Sequence, residues 1–135
     1  MSTQGEHEEA LVRAFIIPQR QSRYLELLPN PRRRQDVIRQ LAHFKHVDIR
    51  FVVPIPPSQS GYAGILGILR GKGAPETCYA VSEDSELDGK ELPLSDSLKK
   101  IVGYGMGTFL SCLAGRLGYF EDEDARWILE RKSKS

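Results

Sequence analysis

The sequence predicts one layered α/β domain on a mainly parallel sheet that ends in an antiparallel meander. Three observations point there. Short apolar runs stopped by proline or polar residues read as buried strands. Stretches with apolar residues at helical spacing lie between them, which favours parallel pairing through right-handed crossovers. The last three apolar runs are joined by short turns, and the gap between the first two is too short for a crossover, so that pair must be antiparallel.

The expected element order is βααβαβαβββ. Leu11 to Pro18 (LVRAFIIP) is the first strand, rich in β-branched residues and stopped by proline. Gln19 to Leu28 is a helix that must end at Pro29. Asn30-Pro31 restarts a helix, with Asn30 as cap and Pro31 where no N–H is needed; Val37, Ile38, Leu41, Ala42 and Phe44 extend its apolar stripe to about Lys45. Asp48 to Ile55 is the second strand. Ser58 is placed to cap a helix from Gln59 to Arg70, which Gly71, Gly73 and Pro75 terminate. Thr77 to Ser82 is the third strand, followed by an acidic loop. Ser95 caps a helix through Val102, and Gly103 closes it. Gly107 to Leu113, Arg116 to Phe120 and Arg126 to Glu130 form the meander.

Composition supports a single domain over residues 11–131, with residues 1–10 and 132–135 expected to be flexible. The chain is 40% hydrophobic and 27% charged with a net charge of +1, which excludes collagen, coiled coil, low-complexity and disulfide-scaffold classes. Two cysteines, a polar acidic beginning and no apolar run of about 18 residues or more predict a cytoplasmic protein with no membrane span.

The near-neutral total hides two opposed halves. Arg13 to Lys72 carries eleven basic and three acidic residues, a net of +8, whereas Glu76 to Glu130 carries five basic and twelve acidic, a net of −7. Arg32, Arg33 and Arg34 stand in the first turn of a helix, where the backbone dipole disfavours cations. Together with Arg39 they call for an anionic counterpart, either the chain's own acidic segments or an external phosphate or acidic protein surface.

In a parallel α/β sheet, ligands bind beyond the carboxyl ends of the strands. That expectation selects Arg20 after the first strand, Ser58, Gln59 and Ser60 after the second, and Ser82, Glu83 and Asp84 after the third. The Ser58–Gly61 turn offers N–H groups suited to phosphate, and Arg20 a bidentate contact; the plainer reading is an ordinary capped turn. The favoured expectation is a non-catalytic binding or regulatory module that recognises an anionic ligand, an acidic protein surface or nucleic acid through its basic half, with no cofactor and no metal. One alternative is a small metal-dependent hydrolase or nuclease using Glu83, Asp84 and Asp88. Another is a structural subunit or oligomer joined through the ridge of Gly61, Gly64 and Gly67.

Other motifs have plainer readings. Gly103, Gly105 and Gly107 follow a helix and precede a strand, the reverse of a dinucleotide loop. Asp84, Glu86, Asp88 and Gly89 resemble the start of a calcium loop, but Ser95 stands where a bidentate Glu is needed. Asp88-Gly89-Lys90 has the spacing of a metal-nuclease carboxylate and lysine, but falls in a turn. His43, His46 and Asp48 lack a further ligand. Cys78 and Cys112 fit buried core positions.

Overall fold

Glu8, Leu11, Val12 and Phe15 are buried together. Their spacing of three, one and three residues fits one face of a helix and no strand. The first apolar run is accordingly the second half of α1 (Gln4–Phe15), and the polar Gln4 to Ala10 are its first turns. The expected first strand shrinks to a single bridge between Ile16 and Val47. The structure, a computed structural model, describes residues 4–132; the rest of the expected flexible ends, residues 1–3 and 133–135, lie outside the described residues.

The second of the next two helices begins as the sequence requires, and the first takes in Pro18, expected to stop a strand, as its opening residue. α2 spans Pro18–Leu27, and α3 spans Pro31–Ile38 with the Asn30 side chain accepting from Arg32 N and Arg33 N. α3 does not reach Lys45. A 3-10 turn, Leu41–His43, replaces its last turn and sends Phe44 into an aromatic cluster, with ring centroids 5.4 Å from Phe109 and 6.0 Å from Phe120. The run from Asp48 to Ile55 is likewise broken. The Asp48 side chain caps a 3-10 turn at Ile49–Phe51 by accepting from Arg50 N, leaving a two-residue strand β1 (Val52–Val53).

α4 (Tyr62–Gly71) starts after a 3-10 turn at Pro57–Gln59, and no side chain caps it, so Ser58 is not its cap. Of the glycine ridge only Gly64 is tightly packed: a Cβ there would lie 2.5 Å from the backbone oxygen of Gln59, while Gly61 and Gly67 face open space. The close neighbour is this chain's own turn. β2 (Thr77–Ser82), β4 (Thr108–Leu113), β5 (Leu117–Glu121) and β6 (Arg126–Glu130) follow the sequence reading closely. A short strand β3 (Glu91–Pro93) precedes α5 (Leu94–Ile101), which Ser95 does not cap. Gly103, at φ +91°, ends α5 as expected.

The sheet order is β1-β6-β5-β4-β2-β3, and every neighbouring pair is antiparallel. The expected mainly parallel sheet is therefore overturned, although the class remains mixed α/β. The cause of the misreading is physical. Helices cover both faces, so β2 and β4 alternate between two buried layers and read as unbroken apolar runs, a pattern usual in parallel sheets. On one face α1, α2, α3 and Phe44 pack on Tyr79, Val81, Phe109, Phe120 and Leu129. On the other, α4 and α5 pack on Cys78, Ala80, Leu110, Tyr119 and Ile128.

Gly107 marks where the first layer meets the start of β4. A Cβ added there would lie 2.3 Å from the carbonyl carbon of Leu41. That atom is backbone and cannot swing aside, so Gly107→Ala is expected to cost about 2–3 kcal/mol by overpacking. Urea denaturation measures it, and Gly67→Ala, with no neighbour within 4 Å, provides the contrasting helix substitution.

Candidate functional site

The segment from Phe44 to Val47 is pinned to the start of α2. Ile17 N donates to His46 O at 2.9 Å, Ile16 bridges Val47, and Phe44 is buried. This brings His46 beside Arg20 and Tyr24. The Tyr24 hydroxyl lies 2.6 Å from His46 Nδ1 and 3.4 Å from Gln40 Oε1. A neutral imidazole accepting at Nδ1 carries its proton on Nε2. Next to it is a depression of about 280 Å³ lined by Arg39, Gln40, His43, Phe44, Lys45 and His46.

The electrostatics of this face are positive. Desolvation by burial lowers the His46 pKa from its ordinary 6.5, and the charge of Arg20 lowers it further. Burial raises the pKa of Tyr24, against the opposing charges of Arg20 and Arg23. Among the described residues, no ion pair engages Arg20, Arg23, Arg32 or Lys45. Arg39 meets Asp36 only at 3.8 Å, and Asp36 is shared with Arg33 at 3.4 Å. All three are solvent-exposed, where such pairs hold little energy. His43 turns away from His46 to Glu123 (3.2 Å) and Asp124 (3.3 Å), so the two histidines do not form a joint metal site.

The arginine run divides. Arg32 and Arg33 stay at the surface, whereas Arg34 is only 11% exposed and faces inward. Its Nη1 donates to both carboxylate oxygens of Glu8 (2.8 and 2.7 Å) and to Leu28 O, and its Nε and Nη2 donate to Asp88 at 2.9 Å each. Burial alone would lower the Arg34 pKa; the hydrogen bonds and charges of Asp88 and Glu8 more than reverse that and raise it. The Tyr79 hydroxyl donates to Glu8, and Asp88 also accepts from Ser82 N. The two charged halves thus meet in one buried ion cluster, and Arg34 is part of the scaffold rather than of the exposed basic face.

The residues expected at strand ends are not gathered into one pocket. β1 and β2 do point toward the same end of the sheet, but β6, β5 and β4 lie between them. Four inter-strand steps amount to about 19 Å. Ser60 Oγ donates to Pro57 O, and Ser60 O accepts from Arg126; Ser58 and Gln59 sit in the same 3-10 turn. Ser82 is buried against Thr108, with its Oγ also accepting from Asp84 N. Glu83 accepts from Gly107 N, and Asp84 from Glu86 N. The parallel-sheet argument that joined these residues goes with the parallel sheet. Only Arg20 falls on the basic face. Among the described residues, no group of three or more His, Cys, Asp or Glu side chains is placed to hold a metal, and no helix is long and apolar enough to cross a membrane.

Sequence reasoning missed the burial of three carboxylates, Glu8, Glu121 and Asp122. Glu8 lies one helical turn before Leu11 and Val12, a legible signal once residues 4–15 are read as a helix. Glu121 is fully buried at the end of β5. It accepts from Gly103 N (3.0 Å), Gly105 N (2.9 Å) and Tyr119 Oη (2.7 Å), with Arg126 at 3.7 Å. The glycine loop is therefore occupied by the chain's own carboxylate. Neither a protein-family model, a curated protein nor a solved structure matches this chain.

Proposed function

We propose that this protein is a non-catalytic binding module whose basic face, formed by Arg20, Arg23, Arg39, Lys45 and His46, takes a phosphate-bearing ligand. The observation that carries the reading is a small depression lined by Arg39, Lys45 and His46, with Arg20 beside that histidine and no ion pair at Arg20, Arg23 or Lys45 among the described residues. Phosphate suits such a setting because arginine donates to it in bidentate fashion and lysine adds a point charge. Gln40 and the Nε2–H of His46 supply neutral donors beside them. The exposed Arg32 and Arg33 extend the positive field and speed encounter with an anion.

The test is calorimetric titration of the full chain with pyrophosphate. Arg20→Glu with Lys45→Glu is expected to weaken binding at least about tenfold, the equivalent of losing one charge-assisted contact. Burial and the charge of Arg20 lower the His46 pKa, which favours the neutral imidazole in the free protein. A bound anion favours imidazolium, so the His46 NMR titration should shift upward with ligand. Binding that is indifferent to both charge reversals, or no saturable binding at all, rejects the reading.

A further inference from the structure

Cys78 and Cys112 are both free and buried, and neither touches the basic face. The β2–β4 ladder pairs Tyr79 with Ser111 and Ala80 with Leu110. That register, continued one step past Tyr79 and Ser111, would set Cys78 opposite Cys112. Backbone groups alternate sides along a strand. Ala80 N donates to Lys90 O on the β3 side, so the N–H and C=O of Cys78 also face β3, and those of Tyr79 face β4. In that register Cys78 and Cys112 occupy a non-hydrogen-bonded cross-strand position, the kind in which Cα atoms approach to about 4.5 Å. That falls within the ~4.4–6.8 Å a disulfide bridges. Both side chains enter the same core layer beneath α4 and α5. The bulge between Ser111 and Leu113, where β4 meets β5, turns Cys112 and Leu113 both toward that layer.

We propose that Cys78 and Cys112 are an oxidisable dithiol that closes as a cross-strand disulfide between β2 and β4 on exchange with a low-molecular-weight disulfide such as oxidised glutathione. α5 guards the pair: Cys78 Sγ lies 3.7 Å from Ser97 Oγ on that helix. Burial pushes the Cys78 thiol up to about 11 and raises that of Cys112 as well, so the closed protein holds almost no thiolate and exchange follows local opening of α5. One exposed thiolate attacks a sulfur of oxidised glutathione, breaking its S–S bond and releasing one glutathione thiolate. The second protein thiolate then attacks the protein sulfur of the mixed disulfide and expels the other glutathione. Two protein thiols are oxidised, one glutathione disulfide is reduced to two thiols, and the two protons pass to the released thiolates.

The experiment incubates the native full chain with oxidised glutathione, with and without urea below the unfolding transition. The expected product is a monomer lighter by two hydrogen atoms. Its non-reduced digest joins the Cys78 and Cys112 peptides, its formation is faster in sub-denaturing urea, and dithiothreitol reverses it. Cys78→Ser should stop at a glutathione adduct on Cys112, since nothing resolves the mixed disulfide. Two thiols still titratable in native and sub-denaturing conditions, adducts alone in the unsubstituted chain, intermolecular dimers, or closure only after complete unfolding would each overturn the proposal.

Discussion

Arg34→Ala is expected to destabilise the protein by about 3–5 kcal/mol, the usual cost of leaving buried charges without their partner. Glu8 and Asp88 side chains are 7% and 15% exposed and would keep negative charge with their shared cation gone. Typical total stability is about 5–15 kcal/mol, so this one change removes a large part of it. Urea denaturation reads the loss, and Arg33→Ala, at a surface pair, should move the midpoint little. The cluster joins α1, α3 and the loop after β2, so its members should be strongly non-additive. Adding Glu8→Gln and Asp88→Asn to Arg34→Met should recover part of the loss, because the uncompensated charges go with the guanidinium. A loss under about 1 kcal/mol for Arg34→Ala would show that the cluster contributes no more than a surface pair.

Glu121→Ala is expected to cost about 3 kcal/mol or more. The carboxylate is fully buried and satisfies two backbone N–H groups and the Tyr119 hydroxyl. Truncation leaves those donors without an acceptor inside the protein, and each unsatisfied buried group costs about 1–3 kcal/mol. The effect should be local as well as global. Gly103 and Gly105 hold positive φ angles of 91° and 72°, and their amides should exchange with solvent much faster once Glu121 is gone. Glu121→Gln retains one carbonyl acceptor and should fall between the parent and Glu121→Ala. Glu123→Ala, at an exposed position on the following turn, should stay within about 0.5 kcal/mol. Unchanged exchange at Gly103 and Gly105 in Glu121→Ala would mean that backbone conformation alone holds the loop.

The sequence reading succeeded where one local rule governs. Asn30-Pro31 opens a helix because a side-chain acceptor and a missing donor suit its first turn. Gly103 ends α5 because glycine accepts positive φ without cost. The final meander was legible because its turns are short, the first of them too short for a crossover. Reasoning failed where two rules competed. Leu11 to Pro18 satisfies the composition of a strand, and only the polar residues before it, especially Glu8, reveal the helical period. β3 has three residues and no periodicity to read. The basic face was half visible: Arg20 and Arg39 were identified, but Lys45 and His46 became neighbours of Arg20 only through the pinning of the Phe44–Val47 segment.

By itself, the sequence determined the burial of the central strands, the closing meander, the helix start at Pro31, and the opposed charge of the two halves. These follow from side-chain chemistry over a few neighbouring residues. The tertiary structure alone decided strand direction, the inward turn of Arg34, and which cations remain exposed. Strand direction depends on which segments pair across long separations, and a run of apolar residues is compatible with either sense. Arg34 differs from Arg32 and Arg33 only in the face of α3 it occupies, and that face acquires meaning when α1 delivers Glu8 and the loop after β2 delivers Asp88 to the same point.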